Sequence, residues 1–144
     1  MLSNKTKYAL KSLIYVAREG RNRIILSTEI ARKENIPKKF LEAVLVLLKK
    51  SGYLESKRGK TGGYYLARNA DLIMMGDVIR NIEGPLAPIS CVSVTAYKKC
   101  KDCKDEHTCE VREMMKEVRD AIASILDNIN LAEAVKKGKS GPLF

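Results

Sequence analysis

The sequence predicts a mainly α-helical chain with one small β-hairpin. A basic N-terminal half is joined to a long C-terminal helix by a cysteine-bearing loop. Three observations predict this. Two helical patterns meet at a tight Asn35-Ile36-Pro37 turn, and a Gly-rich cationic hairpin follows them directly. Apolar residues then recur at alternating steps of four and three from Val111 to Ile129, a seam of nearly three heptads. All four cysteines lie between these parts, at 91, 100, 103 and 109.

The first helix is expected over Thr6 to Glu19, with Leu10, Leu13, Ile14 and Ala17 at helical spacing and Gly20 as its stop. Ile24-Ile25-Leu26 reads as a short strand. Ser27 is an N-cap candidate, with Glu29 in the first turn of a short helix that ends at Glu34. Asn35 can take the left-handed conformation that ends this helix. Pro37 suits the first turn of the next helix, Lys38 to Lys50, whose buried side would be Phe40, Leu41, Val44, Leu45, Leu47 and Leu48. Gly52 closes it. Short helix, tight turn and longer helix make a helix-turn-helix.

Residues Tyr53 to Ser56 and Tyr64 to Ala67 read as two strands. The tip between them is Lys57-Arg58-Gly59-Lys60-Thr61-Gly62-Gly63. Glycine permits positive φ and close backbone approach to a ligand. The three cations suit phosphates or a minor groove. The tip lacks the Gly-Lys-Ser/Thr spacing and strand-to-helix setting of a nucleotide-binding loop. Helix-turn-helix plus basic hairpin is a winged helix-turn-helix. Met75 to Glu83 reads as a short helix with Val78, Ile79 and Ile82 inward, stopped by Gly84-Pro85. Cys109 to Asn128 reads as the long helix, its face widened by Met114, Ala121 and Leu126; a face this wide calls for a partner chain as well as its own domain. Asn130 with Glu133 is a capping-box pattern opening a last helix, Leu131 to Lys137.

A chain of 144 residues suits one domain that needs no disulfide staple. No apolar run approaches the roughly 18 residues of a membrane span, and no signal-peptide pattern opens the chain, which points to the cytoplasm, where thiols stay reduced. The net charge of +10 is unevenly spread. Residues 1–70 hold 16 Lys/Arg against 5 Asp/Glu, and residues 71–144 hold 11 against 12. That asymmetry is the electrostatic footprint of a nucleic-acid-binding half, the alternative being a solvated basic face.

Clustered cysteines in a reducing compartment favour metal or redox chemistry. Cys100 and Cys103 form a C-x2-C pair, and Cys91 and Cys109 can close a site from either side. Four thiolates suit zinc or an iron–sulfur cluster, which spacing does not separate. Lys98, Lys99, Lys101 and Lys104 surround the thiols and are expected to lower their pKa. His107, the only histidine, is a further ligand candidate or a polar loop residue. A lone histidine without a nucleophile–base constellation argues against an enzyme.

The string SGYLESKRG-x-x-GGYYLAR, with TKYALKSLIYVA before it and GDVIRNIEGP, the spaced cysteines and INLAEAV after it, resembles the IscR/NsrR-type winged-helix regulators. The resemblance covers nearly the whole chain. It implies a homodimer joined along the long helix. It also implies a 2Fe–2S or 4Fe–4S cluster on three loop cysteines, which fall here on Cys91, Cys103 and Cys109. Cys100 is additional, and the C-x2-C argument makes it the first choice for a fourth ligand. The histidine or partner aspartate that completes the site in relatives is matched here by Arg112 and Lys7, neither of which can ligate. For DNA, the resemblance implies contacts from Pro37, Lys38, Lys39 and Glu42, and from Arg58 and Gly59 in the minor groove. Lys57, Lys60 and Thr61 would hold the backbone, and Ser27 and Thr28 would bind phosphate at a helix start. Glu42 can accept from a cytosine amine.

The expected organisation is a DNA-binding unit over 1–83, a cysteine-rich sensor loop over 84–108, a dimerisation helix with a short last helix over 109–137, and a tail over 138–144. The expected function is a homodimeric regulator of transcription that binds a palindromic double-stranded operator and senses iron–sulfur status, redox or nitric oxide through the loop. The alternatives are the same regulator without iron, using zinc or a thiol switch, and a small iron–sulfur electron carrier or cluster-delivery protein. The last leaves the basic half and the hairpin without a role.

Overall fold

The computed structural model describes residues 2–138; the expected tail falls almost wholly outside them. Helix α1 (Asn4–Glu19) begins two residues before its expected start because Ser3 caps it, its hydroxyl accepting from the Thr6 N–H. Gly20 ends it, donating to the Val16 carbonyl. Leu13 is buried as expected, but the deepest positions also include Ala9, Tyr15 and Val16, with Leu10, Ile14 and Ala17 half-buried beside them.

Helix α2 (Ser27–Glu34) corrects one expectation. Ser27 is its first residue rather than its cap; Leu26 holds the cap position and no side chain caps the helix. Asn35 is left-handed (φ 53°, ψ 51°), and Ile36 is buried behind it. Helix α3 spans Lys38–Lys50, with Pro37 at its cap position. Leu41, Val44, Leu45 and Leu48 face the core, with Leu47 half-buried. Phe40, expected on that side, is 61% exposed. The buried face follows the four positions 41, 44, 45 and 48, and Phe40 lies beyond its edge, beside Asn4, Lys5 and Tyr8 of α1.

Strands β1 (Leu54–Lys57) and β2 (Gly63–Leu66) pair antiparallel with Leu54 opposite Leu66 and Lys57 opposite Gly63. Each bound is shifted by a residue from the sequence reading. Ile25 adds a third rung: it exchanges both backbone hydrogen bonds with Tyr64, at 2.9 and 2.7 Å. A Cβ on Gly63 would lie 2.4 Å from the Ile25 carbonyl oxygen, so only glycine allows this approach.

Helix α4 (Met75–Glu83) matches its expected bounds and buries Val78, Ile79 and Ile82. Helix α5 spans Glu110–Leu126, with Cys109 at the cap position. The Asn130–Glu133 capping box is present and opens α6 (Leu131–Lys137). Helix α6 returns to the N-terminal unit. Leu131 is fully buried in the core that α1, α2 and α3 build, and backbone bonds from Met75 to Ile129 and from Leu131 to Ile73 tie it there. Arg80 of α4 makes a two-pronged bond to Asp127 just past α5, at 2.6 and 2.8 Å. The long helix is thus pinned to the N-terminal unit at its C-terminal end. Among the described residues no helix is long and apolar enough to cross a membrane.

Candidate nucleic-acid interface and cysteine loop

The turn between α1 and α2 is locked by charge. Arg23 donates to both Glu29 oxygens, at 2.9 and 2.6 Å, and Tyr15 donates to one of them at 2.6 Å. These bonds, Arg23 foremost and Tyr15 next, hold the Glu29 carboxyl down to about 2. Lys11 and Arg18 of α1 are likewise occupied by Glu34 of α2. Lys11, Arg18 and Arg23 are therefore each engaged by a carboxylate within the protein.

Helix α3 differs. Burial of Leu41, Val44, Leu45 and Leu48 leaves Lys38, Lys39, Glu42, Ala43, Val46, Lys49 and Lys50 along the exposed side of α3, with Phe40 exposed at its edge. Among the described residues none of the cations from Lys38 to Lys60 has a carboxylate partner. Lys49 donates to the Ser56 hydroxyl of β1 at 2.6 Å, which fixes the hairpin against the end of α3. The hairpin tip then carries Lys57, Arg58, Lys60 and Thr61, all exposed. Gly59 has a positive φ of 108°, and the Gly62 N–H donates to its carbonyl at 3.0 Å. A Cβ on Gly62 would stand 2.1 Å from the Lys57 carbonyl oxygen, so the tip closes only with glycine there. At the start of α2, Ser27 is half-buried and Thr28 exposed.

The stretch from 84 to 108 is irregular apart from two 3₁₀ turns, Ser90–Val92 and Glu106–Thr108. All four cysteines are free. Cys91 is 6% exposed within the first turn. Cys103 and Cys109 stand side by side, half-buried, while Cys100 is exposed and its thiol donates to the Asp102 carboxylate at 2.8 Å. The expectation that lysines lower these thiol pKa values is reversed for two of them. The Asp102 hydrogen bond pushes Cys100 up. Desolvation first, then the neighbouring Cys109, pushes Cys103 up, and Lys99 opposes this only weakly. Among the described residues no three His, Cys, Asp or Glu side chains converge where they could hold a metal ion. Cys91, Cys103 and Cys109 have suitable donor chemistry for a cluster, but in this conformation they do not form a site for it.

Sequence reasoning missed two residues that organise this loop. Arg112 Nε donates to the Cys91 carbonyl at 3.4 Å, and Arg119 Nη1 donates to the Val92 carbonyl at 2.7 Å. They lie seven apart, two turns of one helix face, and that spacing was the available signal. Arg112 is also 4.0 Å from Glu106, which accepts from the Tyr97 hydroxyl and pushes that phenol's pKa up.

The outer side of α5 is apolar and uncovered. Val111, Val118 and Ile125, one heptad apart, are 56%, 39% and 59% exposed, and Met114 is 54% exposed. The alternate seam positions Met115, Ile122 and Ile129 are half-buried against the protein's own chain.

A helix-turn-helix whose second helix presents an unneutralised basic face, followed by a glycine-closed basic hairpin, defines a winged-helix DNA-binding protein. A model of the Rrf2 family, described as iron-dependent transcriptional regulators, matches residues 2–137, and the chain belongs to that family. It is 37% identical over 141 residues to an rrf2-like HTH-type transcriptional regulator of Rhodobacter capsulatus, covering 96% of this chain and 94% of the relative. It is 30% identical to the HTH-type transcriptional regulator CymR of Bacillus subtilis, covering 92% and 87%. Among solved structures it is similar to CymR (YrzC), the global cysteine regulator of B. subtilis, with a TM-score of 0.78 at 28% identity over 95% of this chain and 97% of that one. It is also similar to T. potens IscR, with a TM-score of 0.74 at 26% identity over 96% and 88%. The chain is a DNA-binding transcriptional regulator and not an enzyme.

Proposed function

We propose that this regulator acts as a homodimer, reads a palindromic operator with α3 and the hairpin, and senses through the thiols of its loop. The observation that carries the reading is the unneutralised run of cations from Lys38 to Lys60 on one exposed face. Glu42, with Pro37 beside it, meets the major groove, and Lys38 and Lys39 hold the phosphates that flank it. Arg58 and Gly59 meet the minor groove, and Lys57, Lys60, Thr61, Ser27 and Thr28 meet the backbone. The uncovered heptad ridge of α5 supplies the dimer contact. Two such units place their recognition helices about one DNA turn apart, roughly 34–36 Å, which selects a palindrome.

Cys91, Cys103 and Cys109 are the reporting groups of the loop, with Cys100 outside them. An iron–sulfur cluster on those three thiols agrees with the family's iron dependence. Because the thiols do not converge as folded here, loading requires the loop to rearrange. Any such rearrangement moves Cys91 against the α5 arginines that hold its turn, and so bears on the dimer helix.

The test is anaerobic purification with iron, sulfide and zinc counts, followed by duplex DNA affinity before and after metal removal and thiol alkylation. A cluster-loaded protein should carry iron and sulfide, and its DNA affinity should change by about tenfold or more on treatment. Equal affinities in all states contradict sensing by the loop.

A further inference from the structure

The exposed stripe of α3 is not uniformly basic. Its positions 38, 39, 42, 43, 46, 49 and 50 follow the three-and-four spacing of one helix face. Lysines occupy both ends: Lys38 and Lys39 at the start, Lys49 and Lys50 at the finish. The middle is Glu42, Ala43 and Val46. Val46 is 47% exposed, and Ala43 is exposed beside it. A carboxylate and two apolar side chains cannot hold phosphates. In the centre of a face turned to a polyanion, they repel or ignore the backbone. Base edges are what such groups match: a carboxylate accepts from the cytosine amine, and small apolar groups contact the thymine methyl.

We infer that Ala43 and Val46 are specificity-determining residues, which read a thymine methyl group beside the cytosine amine taken by Glu42 in each operator half-site. The inference rests on the DNA-reading face proposed above and divides its labour. Lysines at the ends of the stripe and the hairpin cations grip phosphates, and the neutral centre reads sequence. The apolar exposure here differs from scattered surface hydrophobics because Ala43 and Val46 are neighbours on one helix face and are flanked on both sides by uncompensated cations.

The test uses the full chain and a duplex selected by it from a random library. Each thymine of one half-site is replaced in turn by deoxyuridine, which removes only the methyl group. At one position the substitution should weaken wild-type binding about fourfold, the ~0.8 kcal/mol of one buried methyl group. That sensitivity should vanish in Val46→Ala and persist in Val46→Ile. The salt dependence of all three proteins should be the same, since no phosphate contact is touched. Methyl sensitivity that survives unchanged in Val46→Ala and Ala43→Ser overturns the assignment, as does its absence at every thymine, while normal salt-dependent binding in those variants leaves the reading face intact. Failure of the wild-type chain to select any duplex overturns both.

Discussion

Arg119 donates to the Val92 carbonyl at 2.7 Å, and one heptad earlier Arg112 reaches the carbonyl of Cys91. The long helix therefore holds the cysteine loop by its backbone, through two cations that are only 21% and 19% exposed. A charge-assisted bond of this kind contributes roughly 1.5–3 kcal/mol. Arg119→Met keeps the aliphatic stem and deletes the donor. Amide exchange at Ser93 and Lys98, whose N–H groups bond to Ser90 within the held turn, should accelerate by about tenfold in that variant. Unchanged exchange there would show that the turn stands without its clamp.

Acid should loosen the N-terminal helices through two carboxylates. Thr6 and Ser3 donate to Glu83, and its carboxyl is held down to about 2, as is that of Glu29. Both folded values lie below the ordinary 4.5. Their stabilisation is therefore complete above that value and is lost as pH falls from about 4.5 toward about 2. Denaturation curves across that window should steepen with acid in the wild type and flatten in Glu83→Gln. Parallel acid limbs in the two proteins would remove Glu83 from the account.

The ridge Val111, Val118 and Ile125 is uncovered on a helix in which no residue is buried. Val118→Glu puts a charge in the middle of the proposed dimer contact. Sedimentation should then find monomer where the wild type is dimer, with the helical circular dichroism of α1 to α4 kept. A dimer that survives the substitution would move the interface elsewhere.

Much of this fold was legible from local chemistry. The bounds of α3, α4 and α6, the left-handed Asn35 and the Asn130–Glu133 box are each decided within one or two turns of chain. What escaped depends on residues far apart. The cap of α1 is Ser3, which Glu83 holds from 80 residues away. The Ile25 rung joins residues 39 apart in the chain. In the loop, the cysteine count was plain, but burial of Cys91 depends on how an irregular segment lies on α5, and no periodicity encodes that. At Cys100 lysine density pointed the wrong way because one bonded carboxylate outweighs several solvated cations.

Duplex affinity measured across a salt series tests most directly whether the face from Lys38 to Lys60 grips DNA. The wild type should show a steep linear fall of log affinity with log salt, and Arg58→Ala, Lys38→Ala and Lys39→Ala should each reduce the slope by about one. Slopes that match the wild type in all three variants would contradict the account.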